Sequence, residues 1–247
     1  MATTTSKQRT LSQLLSLSAN GSEVRGKETE GALDLGKLPI LEQFIFALCR
    51  EGSTTEQAQQ AFHNLKTRFF DWNEIRVSTV RELEEAMAGL SDAESRAQRL
   101  IAFLQEVFEE RFSFDLEDVQ KKGLKQGAKK VLSYGAANDF VGAWVVQRSL
   151  SGHALPLDAP TLRCSRRLGL IDGQVDDTES LRTGLEHLVP KAKGIHFTET
   201  ISQVAETHCW EQEPNCGPCP LRGDCPTGQE LNGEQLASAR TSRAKPR

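Results

Sequence analysis

The sequence predicts an all-α protein. Between Leu38 and Trp210, apolar residues recur at helical spacing, and brief polar links with helix-capping residues separate the segments. The alternation of β-branched and polar residues that is typical of strands is missing from this region. About ten short helices joined in this way favour a helical domain rather than a bundle of long helices.

The helices can be assigned in chain order from their apolar period and their caps. In the first, apolar residues from Leu41 to Leu48 recur every three or four positions. Polar stretches that begin at Ser53, Thr79 and Ser91 supply capping residues for the next helices. Further helices are predicted over residues 116–124, 127–134, 138–150, 160–168, 180–188 and 193–207.

Both ends of the chain have the composition of disordered segments. Residues 1–36 are predicted to be a mostly disordered extension, within which residues 9–17 have a leucine period that fits a short helix. Residues 227–247 are predicted to be a disordered tail. No apolar run is long enough to cross a bilayer, and the first twenty residues contain no apolar signal-peptide core. We therefore expect a soluble, cytoplasmic monomer that does not bind membranes, and that is nucleoid-associated if its source is bacterial.

Four of the six cysteines fall within seventeen residues near the C-terminus. Their spacing is C-x6-C-x2-C-x5-C, and the loop between them contains prolines and glycines but no helical or strand period. Such a loop cannot bury an apolar face of its own, so a bound metal centre is the simplest way to order it. The cysteines are Cys209, Cys216, Cys219 and Cys225.

Three chemistries compete for these cysteines. Two disulfides would suit a small secreted domain, but six cysteines in 247 residues without a signal peptide do not fit that class. Zinc can bind four thiolates, although zinc ribbons usually pair two C-x2-4-C knuckles. An iron-sulfur cluster of the [4Fe-4S] type takes four thiolates from loops of irregular spacing. The spacing by itself leaves iron-sulfur and zinc as the two alternatives.

The cysteine run and three helical blocks resemble the endonuclease III family of DNA base-excision glycosylases. The blocks read ILEQFIFALCREGSTTEQAQQAF, AESRAQRLIAFLQ and LPLDAPTLRCSRRLGLI, and they stand in the order that this family uses. The resemblance covers residues 38–226. It implies two helical subdomains within a glycosylase-like domain over residues 37–208, followed by a [4Fe-4S] cluster loop over residues 209–226 whose ligands would be the four cysteines.

The chain departs from this family at its catalytic residues. Phe140 falls at the position of the lysine that attacks the sugar in bifunctional members, and phenylalanine cannot form a Schiff base. Asp158 falls at the position of the family's catalytic carboxylate. The plain alternative is that Asp158 is a helix N-cap, in which case Asp158→Asn should cost little stability. Glu51 replaces a polar residue that the family inserts into DNA, and Pro160 replaces a histidine.

The helix-hairpin-helix motif that the resemblance places near residues 127–148 is degenerate. In the family its glycines let backbone N–H groups approach a DNA phosphate. Here Ala136 and Asn138 replace both glycines, and Asp139 adds a negative charge.

Two basic runs are candidate DNA contacts, although each could also be an ordinary solvated helix face. The overall charge of −4 gives no general attraction to nucleic acid. The first run extends from Lys121 to Lys130 and the second from Arg163 to Arg167. The residues that we predict to contact DNA are Lys129, Lys130, Asn138, Arg163 and Arg166.

The resulting hypothesis is a DNA base-excision repair protein that binds a [4Fe-4S] cluster and double-stranded DNA, damaged or abasic. Without the lysine it is at most a monofunctional DNA glycosylase, with Asp158 as its candidate catalytic residue. The alternative is a catalytically inactive relative that binds DNA or protein, and a zinc-bound helical scaffold is a third possibility. Cys49 and Cys164 lie in apolar helical settings and are predicted to be core residues.

Overall fold

The computed structural model describes residues 4–19, 33–171 and 177–231. These residues contain α-helices and short 3₁₀ turns, and no strand. A further helical segment covers residues 226–231. The helices are α1 (Thr4–Ala19), α2 (Ile40–Arg50), α3 (Thr55–Arg68), α4 (Trp72–Val77), α5 (Val80–Ala86), α6 (Ala93–Arg111), α7 (Asp118–Lys121), α8 (Leu124–Leu132), α9 (Asp139–Ser149), α10 (Ala159–Arg167), α11 (Thr178–Leu188) and α12 (Gly194–Thr207), with 3₁₀ turns at Leu35–Lys37 and Lys191–Lys193.

The chain divides into two compact units. The central unit is Glu28–Asp158 and contains α2 to α9, and the terminal unit combines Met1–Lys27 with Ala159–Arg247 and contains α1 and α10 to α12. The division falls within the region that the sequence assigned to one domain over residues 37–208.

Helix α2 is the centre of the central unit. It packs against α3, α6 and α9, and ten of its eleven residues are buried. A helix that is apolar on nearly every side can be stable only when other helices surround it. Its buried Gln43 accepts a hydrogen bond of 3.0 Å from the indole N–H of Trp144 in α9. This bond satisfies two polar groups that burial would otherwise leave unpaired.

Aromatic side chains join α2 to its neighbours. The rings of Phe44 and Phe103 are stacked with centroids 3.8 Å apart, and Tyr134 meets Phe103 edge-on at 5.2 Å. Phe46 packs against Phe62 of α3 and Trp144 of α9. Stacked and edge-on pairs add to the stabilisation that burial of the rings provides.

The terminal unit is built on α12, which packs against α1 and α10. Leu11 and Leu14 of α1 are buried, the Thr10 hydroxyl donates to the Asp224 carbonyl at 3.2 Å, and Arg9 pairs with the Asp224 carboxylate at 2.7 Å. The sequence predicts a mostly disordered extension over residues 1–36 with a short helix within residues 9–17. The structure has a longer helix there, Thr4–Ala19, which packs against α12. Most of the predicted C-terminal tail, residues 232–247, lies outside the described residues, as do the other residues of the extension at 1–3 and 20–32.

Among the described residues, no helix combines the length and the apolar character that a membrane span requires. The predicted all-α class is confirmed. Several caps also follow the sequence: Thr79 and Glu82 form a capping box at the start of α5, as predicted.

Two helical glycines provide a matched test of the packing. A Cβ added at Gly127 in α8 would lie 3.0 Å from the backbone carbonyl oxygen of Val119, whereas a Cβ at Gly184 in α11 would meet nothing within 4 Å. Alanine is favoured over glycine in a helix by about 0.8–1 kcal/mol, but overpacking costs about 1–3 kcal/mol. We expect Gly184→Ala to raise the free energy of unfolding, and Gly127→Ala to lower it by about 1 kcal/mol, in urea titrations. Equal stability of the two variants would show that α7 and α8 are not in close contact.

Candidate functional site

The turn that joins α2 to α3 is fixed by arginine side chains. The Arg96 guanidinium of α6 donates to the backbone carbonyls of Leu48 and Glu51, and Arg50 donates to the carbonyl of Ser53. These carbonyls lie at the C-terminal end of a buried helix and just beyond it, where intrahelical partners run out. Gly52 adopts φ +66° within the turn, a conformation that glycine accepts readily.

Glu51 is held in a polar network within this turn. Its carboxylate lies 3.0 Å from the Arg99 guanidinium and accepts a 2.6 Å hydrogen bond from the Asn138 amide. Arg99 also donates to the carbonyl of Ala136 at 3.0 Å. The residue that the sequence aligned with a DNA-inserting side chain therefore links the turn to the hairpin between α8 and α9.

Two backbone N–H groups of the hairpin between α8 and α9 donate to groups of the protein itself. Asn138 is the N-cap of α9 and accepts from the Val141 N–H at 3.0 Å. The Gly135 N–H donates to the carboxylate of Glu106 at 3.0 Å, and the Ala137 N–H donates to the Tyr134 carbonyl. The Glu106 carboxylate therefore accepts a hydrogen bond from the hairpin, which is the element at which the resemblance implied a contact with a DNA phosphate.

Phe140 belongs to the core of the central unit. It is 5% exposed, and its ring is stacked with that of Trp144 at a centroid distance of 6.0 Å. The position that aligned with the family's nucleophile therefore carries a packed aromatic ring, which can neither attack a sugar nor transfer a proton.

Asp158 is a buried carboxylate with a charged neighbour. It accepts a 3.0 Å hydrogen bond from the Gly52 N–H, and its Oδ2 lies 3.8 Å from the Arg50 guanidinium. The side chains of Arg50 and Asp158 are 5% and 3% exposed. Removing one partner of a buried ion pair leaves the other charge uncompensated, which is strongly destabilising. This geometry changes the expectation for Asp158→Asn, because asparagine would leave Arg50 without that charge.

The lysine run lies on and before α8. Lys122 pairs with Asp118 at 3.0 Å, and Lys130 binds Glu110 and lies 4.3 Å from the centre of the Tyr134 ring. Lys125 and Lys129 are exposed on α8. Of the two lysines predicted to contact DNA, Lys129 faces solvent and Lys130 is engaged within the protein.

The second basic run holds the cysteine loop. Arg163 donates to the carbonyl of Cys209 at 3.0 Å. Arg167, one turn further along α10, donates to the carbonyls of Trp210 and Glu211 and lies 3.6 Å from the Cys209 sulfur. Arg166 is partly buried on the same helix. The sequence assigned Arg163 and Arg166 to DNA, and it gave no signal of these contacts because they join segments more than forty residues apart.

The four cysteines of the loop line one cavity. Its volume is about 20 Å³, and the side chains around it include Leu168, Val204, His208 and Thr227. Cys164 of α10 lines it as well. All six cysteines of the chain have free thiols, so the disulfide alternative finds no support in this fold.

Local interactions shift the pKa values of three of these thiols in different directions. A hydrogen bond with the Cys164 thiol, assisted by the Arg167 guanidinium, lowers the pKa of Cys209 to about 6. Burial raises the pKa of Cys219 and of Cys225. The thiolate is the form of cysteine that binds a metal, and these interactions favour the thiolate at Cys209.

The spread of the sulfurs bears on which metal centre they could hold. A single zinc ion needs its four sulfurs about 2.3 Å from one point. The described residues contain no group of three or more His, Cys, Asp or Glu side chains gathered closely enough for one ion. A [4Fe-4S] cluster instead takes four thiolates around a larger core, each on a different iron.

Comparisons with known proteins agree with this fold. No protein-family profile matches the chain. An endonuclease III homologue of Encephalitozoon cuniculi is 28% identical over 112 residues, which are 45% of this chain and 46% of that protein. The Arabidopsis thaliana DNA glycosylase/AP lyase ROS1 is 24% identical over 172 residues, 63% of this chain and 12% of that protein. The matches therefore span less than half of each of these relatives.

Solved structures match over nearly the whole chain. A trapped endonuclease III–DNA covalent intermediate superposes with a TM-score of 0.69 at 16% identity, covering 94% of this chain and 99% of that one. A thermostable thymine-DNA glycosylase gives a TM-score of 0.66 at 15% identity, with 92% and 98% covered. The chain has the fold of endonuclease III and of the related helix-hairpin-helix DNA glycosylases.

Proposed function

We propose that this chain is a DNA-binding protein of the base-excision type, which holds a [4Fe-4S] cluster and has no AP-lyase activity. The fold carries the proposal, because it matches a structure of endonuclease III trapped on DNA over 94% of this chain. Its substrate would be a damaged or abasic site in double-stranded DNA.

The proposed reaction is limited to release of a base. An enzyme of this class takes the damaged nucleotide out of the stack and cleaves its glycosidic bond, and positive charge develops on the sugar as the base leaves. Asp158 is the carboxylate that would stabilise that charge while water completes the reaction. Phe140 supplies no amine, so no Schiff base to the sugar forms and the DNA backbone is not cut.

The cysteines of the loop would hold the cluster. Cys209, Cys216, Cys219 and Cys225 supply four thiols around one cavity, and Arg163 and Arg167 position the start of the loop. When bound, the cluster would order residues 209–226, which have little apolar surface to pack. Its binding free energy would then contribute directly to folding.

A second candidate, a catalytically inactive DNA- or protein-binding relative, is favoured by specific contacts. Arg50 offsets the charge of Asp158 in a buried pair. Glu106 accepts from the hairpin N–H of Gly135, and Glu51 is bound by Arg99 and Asn138. Three carboxylates are thus engaged within the protein around the region where a family member would act on DNA, which would weaken both phosphate binding and catalysis.

Metal analysis tests the cluster. Protein prepared without oxygen should contain iron and acid-labile sulfide, and Cys216→Ser should lose both and give less folded protein, because the loop loses the centre that orders it. Cys49→Ala serves as control, since Cys49 is buried in the central unit and should keep its iron. One zinc per chain with no iron would contradict the proposal.

Base release from a panel of lesion duplexes tests the enzyme. We expect release from at least one duplex and no covalent adduct with abasic DNA in the presence of borohydride. Asp158→Asn should abolish release and, by removing the carboxylate charge that faces Arg50, lower the free energy of unfolding by about 3 kcal/mol. The double variant Arg50→Met/Asp158→Asn should recover part of that stability and remain inactive.

The double variant separates the effect of losing the Asp158 charge on base release from its effect on folding.

If the unmodified protein releases no base from any duplex, the catalytically inactive alternative replaces the glycosylase proposal. A borohydride-trapped adduct that disappears in Lys129 or Lys130 variants would show that the hairpin is aligned wrongly and that a lysine does act.

Salt titration of duplex binding tests the DNA surface. Each phosphate contact adds about 0.9 to the slope of log affinity against log salt concentration. Lys125→Gln/Lys129→Gln should therefore flatten that slope by about 2, as measured by fluorescence anisotropy. Lys66→Gln is the matched control, because Lys66 pairs with Glu42 at 2.6 Å and lies on α3. The same slope in all three proteins would exclude α8 as a DNA contact.

A further inference from the structure

The hairpin between α8 and α9 already holds an anionic group of the protein. The Gly135 N–H donates to the carboxylate of Glu106 in α6, with distances of 3.0 Å to Oε2 and 3.3 Å to Oε1. A Cβ added at Gly135 would lie 2.8 Å from the same Oε1. The carboxylate therefore lies directly against the glycine, in a space that a larger side chain at residue 135 would enter.

Other contacts hold the hairpin beside α6. Arg99, seven positions before Glu106 in α6, donates to the Ala136 carbonyl at 3.0 Å. The Tyr134 ring meets the buried Phe103 ring of α6 edge-on at 5.2 Å. These contacts involve the two residues that flank Gly135 in the chain. The hairpin would therefore keep its place beside α6 if the Glu106 side chain moved away.

The partner of Glu106 differs in kind from the partners of Glu51. Glu51 lies 3.0 Å from the Arg99 guanidinium and accepts from the Asn138 amide at 2.6 Å, so a cation offsets its charge. The contact of Glu106 is with a neutral N–H that both of its oxygens share. Its side chain is half-buried, and the next turn of α6, at Glu109, is exposed. Rotation of the Glu106 side chain can therefore take its carboxylate to water.

An N–H group that holds one oxyanion can hold another of similar geometry. Carboxylate and phosphate oxygens both accept charge-assisted hydrogen bonds from backbone N–H groups, and such bonds to DNA phosphates fix the position of a protein on a duplex. Lys125 and Lys129 are exposed on α8, the helix that leads into the hairpin. Their charges favour the approach of a phosphate backbone to this part of the central unit.

We propose that Glu106 occupies the place of a DNA phosphate at the Gly135 N–H in the free protein and leaves it when a duplex binds. Glu106 then sets the affinity of the hairpin for DNA, because its carboxylate competes with the phosphate for one donor. The inference rests on the DNA binding of the proposed function. It differs from a hairpin that has lost its phosphate site, since here the donor becomes available once the carboxylate is removed.

Duplex binding by carboxylate variants tests this competition. The full chain is compared with Glu106→Ala and Glu106→Gln by fluorescence anisotropy, using an abasic duplex at one salt concentration. We expect Glu106→Ala to bind at least about fivefold more tightly, because the phosphate no longer has to replace a hydrogen bond to a charged group. Glu106→Gln should gain less, since its amide oxygen remains a neutral acceptor for the same N–H.

Glu109→Ala is the matched control on the same helix. Glu109 lies one turn beyond Glu106 and carries the same charge, but it accepts from the Gln105 amide rather than from the hairpin. Its removal should change the affinity for the duplex by less than about twofold, because salt screens an exposed charge. Urea titration of each protein shows whether it is folded, and Glu106→Gln repeats the test with a side chain of nearly the same size.

The Gly135 amide gives a second measurement, which a loss of stability elsewhere would not reproduce. Isotope-labelled glycine marks the 19 glycine amides of the chain, and the Gly135 signal is the one missing from Gly135→Ala. In Glu106→Ala this amide should exchange with solvent faster than in the unmodified protein, because it has lost its acceptor. Binding of the abasic duplex should slow the exchange again, since a phosphate oxygen takes the place of the carboxylate.

The outcomes separate this inference from the function on which it rests. Equal affinities of the unmodified protein, Glu106→Ala and Glu106→Gln would overturn the competition and leave DNA binding intact. An equal gain in Glu109→Ala would also overturn it, because charge alone would then explain the effect, as would a Gly135 amide of Glu106→Ala that the duplex does not protect. Failure of every protein to bind the duplex, Glu106→Ala included, would overturn the proposed DNA binding itself.

Discussion

The buried C-terminal end of α2 is the constraint on which the central unit depends. Helix α2 is enclosed by other helices, so the carbonyls at its end cannot turn to water and need donors from the protein. Arg96 and Arg50 provide those donors at Leu48, Glu51 and Ser53. Burying arginines in turn demands negative charge nearby, because an isolated buried cation is costly.

Asp158 supplies the negative charge beside Arg50, so its carboxylate has a structural role as well as a candidate catalytic role. Its carboxylate lies beside Arg50 and receives the Gly52 N–H, so it holds the α2–α3 turn in addition to any part in chemistry. A carboxylate that stabilises a cationic sugar acts best when no other cation competes for it. The same residue can therefore be retained for the stability of the turn whether or not it takes part in a reaction. This overlap of roles is the physical reason why position alone does not identify a catalyst.

The cysteine loop depends on α10 in a comparable way. Residues 209–225 have no apolar period, and their start is fixed by arginine contacts to main-chain carbonyls rather than by side-chain packing. These arginine contacts keep the loop beside α10. Because they involve main-chain carbonyls, they do not depend on which side chains the loop carries. The thiol of Cys164 reaches the cavity from that helix, so the proposed centre is supported by both a loop and a helix.

The sequence by itself determined the helical class, most helix positions, the capping box of α5 and the grouping of four cysteines, because these depend on local period and spacing. That Phe140 stands at the position of the family's lysine stays a prediction from the sequence. The leucine period indicated a helix within residues 9–17. The structure extends that helix to Thr4–Ala19, where α1 packs against α12 and Thr10 donates to the Asp224 carbonyl, far away in the chain.

Only the tertiary structure decided the partners of the charged residues. Local spacing could not pair Arg50 with Asp158, Glu51 with Arg99 and Asn138, or Arg163 with the Cys209 carbonyl, because each pair joins segments 46 to 108 positions apart. The same holds for Cys164, which local pattern described correctly as buried but could not place at a cavity lined by four other thiols. Burial and charge compensation are properties of the assembled fold, so residues with the same local pattern take different roles once their neighbours are known.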